Sequence, residues 1–200
     1  MKETKAFIFD LDGVIVFTDK FHYQAWKKMA DGMGIYFDET INNRLRGVSR
    51  MDSLDIILER YDGTLNQEEK EALAAEKNDT YRELLKTMTP ADVSDEVRDT
   101  LKELRARGYK LAIGSSSKNA RFILERVELL DYFDAISDGN NITRSKPDPE
   151  VFVKAAEFLG EEPKDCIVVE DAYAGIDGAK AGGMDAAAIG DAASYEKADY

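Results

Sequence analysis

The chain has one cysteine, one tryptophan and one histidine among its 200 residues. A lone Cys166 excludes an internal disulfide and suits a reducing compartment. It precedes the apolar run at 167–169, so it reads as a core thiol rather than a nucleophile. No apolar stretch approaches the roughly 20 residues that a bilayer-spanning helix needs. The apolar run after Lys5 ends at Asp10, too soon for the core of a signal peptide. Positive charge is scarce: 27 Lys and Arg against 40 Asp and Glu leave a net charge of −13. A surface that acidic repels nucleic acid and anionic membranes, and neither is expected as a partner. A cytoplasmic location is expected. No exposed apolar stripe stands out, so a monomer is expected. An anionic substrate would need a site that supplies its own positive charge.

What is present is a globular composition. Hydrophobic residues make up 44% of the chain, enough for a core, and 34% are charged. No internal repeat or low-complexity tract interrupts it. Residues 6–9 read as a short buried strand. From Asp19 to Met88 the period is helical. Phe21, Ala25, Met29 and Met33 recur at i+4, as do Leu54, Leu58 and Tyr81, Leu85 on later segments. Thr64 with Gln67 has the spacing of a capping box. From Pro90 onward, strands ("YKLAIG", "FDAIS", "CIVVE", "DAAAI") alternate with helical segments, one of them expected to start at Pro149. The expected fold is α/β: a Rossmann-like parallel sheet covered on both faces, carrying an inserted α-helical domain. The core would be 1–17 and 89–200, the helical insert 18–88.

Ligands of open parallel sheets bind at the carboxyl ends of the strands. The first strand ends at Asp10, with Asp12 two residues on. "KLAIG" ends at Ser115, Ser116 and Ser117. "CIVVE" ends at Glu170 and Asp171, and the loop "SKPDP" brings Lys146. Carboxylates crowded in this way repel one another unless a cation sits among them, and an all-oxygen set favours Mg²⁺. Mg²⁺ with lysine and serines points to phosphoryl transfer. Residues i and i+2 of an extended chain share a side. Asp10 can then attack phosphorus while Asp12 trades protons with the leaving or attacking hydroxyl. Taken singly, "DLDG" is a good turn, "SSS" a common cap and "VVED" an ordinary strand end. Their joint placement, each after a strand, makes the case.

"FDLDGV", "GSSSKN", "SKPDPEVF" and "VVEDAYAGIDGAKAGGM" resemble the four motifs of the haloacid dehalogenase (HAD) superfamily. The segments "FTDKFHYQAWKKMADGMGI" and "RLRGVSRMDSLDIIL" resemble the β-phosphoglucomutase family within it. The resemblance spans nearly all of residues 5–190. It implies that Asp10 is the nucleophile and a Mg²⁺ ligand. It makes Asp12 the general acid/base, with its carbonyl on the metal. Glu170 and Asp171 would complete the protein's share of the metal shell. Ser115 and Lys146 would hold the transferring phosphoryl group. Arg50, Ser117, Lys118 and Asn119 would hold a second phosphate. Thr18 and His22 match positions at the hinge and front of a helical cap. Phe17 departs from the aspartate commonly found before that threonine. The superfamily usually continues beyond Tyr200 with a further strand and helix, which suggests a shortened chain.

Three readings stay open. A mutase would interconvert β-D-glucose 1-phosphate and D-glucose 6-phosphate through β-glucose 1,6-bisphosphate. A phosphatase would act on a small-molecule sugar phosphate with one phosphate site. A non-catalytic relative would only bind phosphometabolites. The residues in the helical insert have plainer alternatives too. Ser49 with Asp52 can be a helix cap, Arg50 a solvated charge, and His22 ordinary packing.

Overall fold

The computed structural model describes residues 3–45 and 49–200. The chain forms two compact units, one of residues 1–17 and 88–200 and the other of residues 18–87.

The first unit is built on five strands: β1 (Ala6–Phe9), β2 (Lys110–Gly114), β3 (Ala135–Ser137), β4 (Cys166–Glu170) and β5 (Asp185–Ala188). All neighbours are parallel, in the order β3-β2-β1-β4-β5. Parallel strands need helical crossovers, and these cover both faces. That is why the strands read as nearly unbroken apolar runs. β1 lies at the centre, with Phe9 level with Ile113 on one side and Val169 on the other. The central strands therefore end together. Ala6, Ile8, Ala112 and Val168 pack with Val151, Phe152 and Ala155 of a crossover helix in one core. Tyr200 runs beside β5, its N–H donating to Ala186 O and its carbonyl accepting from Ala188 N–H.

The second unit is helical, with α1 (Asp19–Gly32), α2 (Glu39–Asn43), α3 (Arg50–Leu58) and α4 (Gln67–Leu85). The first unit holds α5 (Asp95–Ala106), α6 (Ala120–Arg126), α7 (Glu150–Leu159) and α8 (Tyr173–Ala181). Trp26, Met29, Ile35, Phe37, Leu54 and Ile57 form the core of the helical unit, where α1 and α3 pack on α4. Three details differ from expectation. The capping box of α4 is Asn66 with Glu69, not Thr64 with Gln67. The Asn66 side chain accepts from Glu69 N–H at 2.9 Å, and the Glu69 carboxylate accepts from Asn66 N–H at 2.8 Å. Both pairs have the right spacing, but only the second offers a carboxylate to the helix start, where the dipole favours it. Pro149 is the N-cap of α7, not its first residue. Met88 falls with the α/β unit rather than the helical one, its carbonyl accepting from Arg126 at 3.0 Å. Among the described residues no helix is long and apolar enough to cross a membrane.

Candidate active site

The end of β1 sets the site. Asp10 N–H donates to Val169 O at 3.0 Å, extending the ladder by one residue. This places Asp10 beside Glu170, the last residue of β4. Leu11 is fully buried in the core, and the chain then turns, with Ile15 and Val16 N–H both donating to Leu11 O at 3.0 Å. Asp12 lies in this turn, half-buried, its backbone bridged to Val16. Gly13 follows with φ +95°, and a Cβ there would fall 2.0 Å from Asp171 Oδ2. Only glycine takes that conformation freely and lets the turn approach Asp171. Gly175, in α8, plays the same part for Glu170: a Cβ would lie 1.9 Å from its Oε2.

Among the described residues, Asp10, Glu170 and Asp171 each offer a carboxylate oxygen, all within 4.8 Å of one another. Asp10 is 7% exposed and Glu170 1%. Water cannot neutralise charges so buried, so counter-charge must. Lys146 supplies one. Its ammonium donates to Asp10 at 2.6 Å and to Glu170 at 2.7 Å. Burial works to lower the Lys146 pKa, but attraction to Asp10 and Glu170 outweighs it and raises the value. Even so, three carboxylates share one ammonium. Burial and the neighbouring carboxylates hold the Glu170 and Asp171 pKa values up. The excess negative charge and the oxygen-only donor set fit a hard divalent cation.

The loop after β2 is ordered by its own serines. The Ser115 hydroxyl accepts from Ser117 N–H, and the Ser117 hydroxyl from Asn119 N–H, both at 3.1 Å. Ser115 and Asn119 are buried, while Lys118 is exposed. All four residues, Ser115, Ser117, Lys118 and Asn119, follow the carboxyl end of β2, next to β1.

Thr18, His22 and Arg50 belong to the helical unit and have partners there. The Thr18 hydroxyl lies 3.0 Å from the Tyr81 hydroxyl. His22 Nδ1 lies 2.9 Å from Lys77 Nζ. Arg50 is half-buried and donates to Asn78 at 2.8 Å, so it is not a freely solvated charge. Ser49 does cap α3, accepting from Asp52 N–H at 3.2 Å. Burial, then Lys77 and Arg50, push the His22 pKa well below its ordinary value, so the imidazole is neutral. Lys77 is 4% exposed, its ammonium 4.5 Å from the Trp26 ring centroid. Burial, and secondarily Arg50, push its pKa down to about 7. Sequence reasoning missed Lys77, Asn78 and Tyr81. The signal was present: Ala74, Lys77, Tyr81 and Leu85 are the buried stripe of α4, and a lysine on such a stripe is out of place.

Residues 4–183 match the model of the haloacid dehalogenase-like hydrolases. The chain belongs to this family. As a member, it is 41% identical over 189 residues to β-phosphoglucomutase of Bacillus subtilis strain 168, across 93% of this chain and 83% of that one. It is 34% identical over 182 residues to the fructose-1-phosphate phosphatase of Escherichia coli K12, across 90% and 93%. The crystal structure of β-phosphoglucomutase from Clostridium difficile matches with a TM-score of 0.89 at 39% identity, covering 98% of this chain and 88% of that chain. The family thus holds both mutases and phosphatases on this fold.

Proposed function

We propose that the protein is a phosphomutase interconverting β-D-glucose 1-phosphate and D-glucose 6-phosphate through an aspartyl phosphate on Asp10 and β-glucose 1,6-bisphosphate. One observation carries the reading: the chain keeps cations that form no ion pair. Among the described residues Arg50, Lys77 and Lys118 form no ion pair, although acidic residues outnumber basic ones by 40 to 27. A single-phosphate hydrolase needs the Lys146 side of the site alone. A bisphosphate needs a second anion-binding set, the role that the resemblance gives to Arg50, Ser117, Lys118 and Asn119.

In this scheme the 6-hydroxyl of glucose 1-phosphate attacks phosphorus on phospho-Asp10. Asp12 takes the hydroxyl proton, the acyl–phosphate bond breaks, and Asp10 departs as a carboxylate. After the bisphosphate turns over, Asp10 attacks the 1-phosphate and Asp12 returns its proton to O1. Ser115 and Lys146 hold the oxygens of the transferring group. Asp10, Glu170, Asp171 and the Asp12 carbonyl would hold Mg²⁺, which supplies neutralisation of phosphoryl charge when bound. His22 and Thr18 would support the proton step at Asp12. Cys166, buried and in no disulfide, suits a cytoplasmic setting.

The second reading is a sugar-phosphate phosphatase, favoured by the 34% identity to the Escherichia coli enzyme. Incubation with β-glucose 1-phosphate, Mg²⁺ and a trace of the 1,6-bisphosphate separates the two. Glucose 6-phosphate without inorganic phosphate supports the mutase. Stoichiometric inorganic phosphate supports the phosphatase.

A further inference from the structure

Tyr81 joins the polar residues of the helical unit. It is 1% exposed, yet each part of it is occupied. Its hydroxyl meets the Thr18 hydroxyl at 3.0 Å in a buried contact. Its ring lies nearly parallel to the His22 imidazole, with centroids 4.0 Å apart and planes 22° apart. The Lys77 ammonium sits 4.8 Å from the same ring centroid and 2.9 Å from His22 Nδ1. Thr18 is the N-cap of α1, and its carbonyl accepts from His22 N–H at 3.1 Å. One side chain of α4 therefore grips the first turn of α1 at two points.

The chemistry of these contacts restricts His22. While Lys77 is protonated it is a donor only, so Nδ1 accepts and the neutral ring carries its proton on Nε2. Rotation of the ring by half a turn would put the Cδ2–H in place of Nδ1 and Cε1 in place of Nε2, leaving the Lys77 ammonium without an acceptor. The parallel stack limits tilt, and the Lys77 donor selects one of the two flipped states. We propose that Tyr81 is a positioning residue, whose ring holds His22 in one orientation and tautomer and keeps Lys77 against it. The inference rests on the reading above in the part that His22 plays in proton transfer.

His22 is the only histidine, so its imidazole nitrogen signals need no assignment. Long-range proton–nitrogen NMR on the full chain should show one protonated and one acceptor-type nitrogen, with ring protons shifted by the Tyr81 ring. Tyr81→Met, similar in volume but not aromatic, should average the two nitrogen signals and abolish the ring shift. Its kcat should fall about 10²-fold, with KM for the sugar phosphate within about twofold. Tyr81→Phe should keep the nitrogen signature and most of kcat, and it serves alone if the Met variant does not fold. A folded Tyr81→Met with the wild-type signature, or with unchanged kcat, overturns the proposal. So does a Tyr81→Phe that loses the signature. If instead the phosphotransfer reading is wrong, the parent protein shows no turnover while its His22 signature still depends on the Tyr81 ring.

Discussion

The two units bury charge in opposite ways. The α/β unit places three carboxylates around one ammonium and is short of positive charge. The helical unit buries Lys77 against Trp26, Tyr81 and a neutral His22, beside Arg50, with no carboxylate pairing it among the described residues. Neither arrangement is a means of stabilising a fold, since buried uncompensated charge costs free energy. On the proposed reading, each would become favourable with a partner of the opposite sign: a divalent cation in the first, a phosphate in the second.

Removing the nucleophile should have the largest effect. Asp10→Asn should lower steady-state turnover of sugar phosphates by about 10⁴-fold or more. Retention of a tenth of the activity would mean the carboxylate does not attack. Asp12→Asn should cost about 10²–10⁴-fold in turnover, with Mg²⁺ binding kept, since only its carbonyl is assigned to the metal. Undiminished turnover would show that another group moves the proton. Arg50→Ala should weaken hexose bisphosphate binding by about 10- to 100-fold, while transfer from acetyl phosphate, a donor with one phosphate, changes little. Equal losses with both donors would remove Arg50 from the second anion set.

Lys77 offers a test in stability alone. Unfolded, it holds its proton up to about pH 10.4; folded, its pKa is about 7. Between those values the unfolded state binds more protons, so stability rises with pH. His22, Arg50 and Tyr81 face the ammonium, and no carboxylate among the described residues pairs with it. From about pH 7 to pH 9.5 this contributes on the order of 3 kcal/mol, which Lys77→Met should abolish. Parallel urea-unfolding profiles for parent and variant over that range would contradict it. The smallest effect is structural. Asn66→Ala should destabilise the helical unit by about 1 kcal/mol through loss of the α4 cap, and no change in the unfolding midpoint would argue that the box is not formed.

The same contrast explains what was legible in the sequence. Asp10, Lys146, Glu170 and Asp171 stood out because each follows an apolar strand or sits in a short loop, where a carboxylate or lysine has no packing role. The strands themselves were legible because parallel strands are buried on both faces. Lys77 and Tyr81 were not, because their significance depends on α4 presenting one stripe to α1. On a charged helix such as "QEEKEALAAEKNDTYRELL" a lysine reads as solvated and a tyrosine as core. The α4 cap was misplaced by two residues because two pairs share one spacing. Only the carboxylate of Glu69 distinguishes them.

The most direct test of the account is calorimetric binding to the Asp10→Asn protein with Mg²⁺ present, where transfer cannot proceed. If the two charge sets serve the two ends of one ligand, β-glucose 1,6-bisphosphate should bind at least about tenfold more tightly than either glucose monophosphate. Arg50→Ala in the same background should remove that advantage. Equal affinity for bisphosphate and monophosphates would contradict the account and leave a site built for one phosphate.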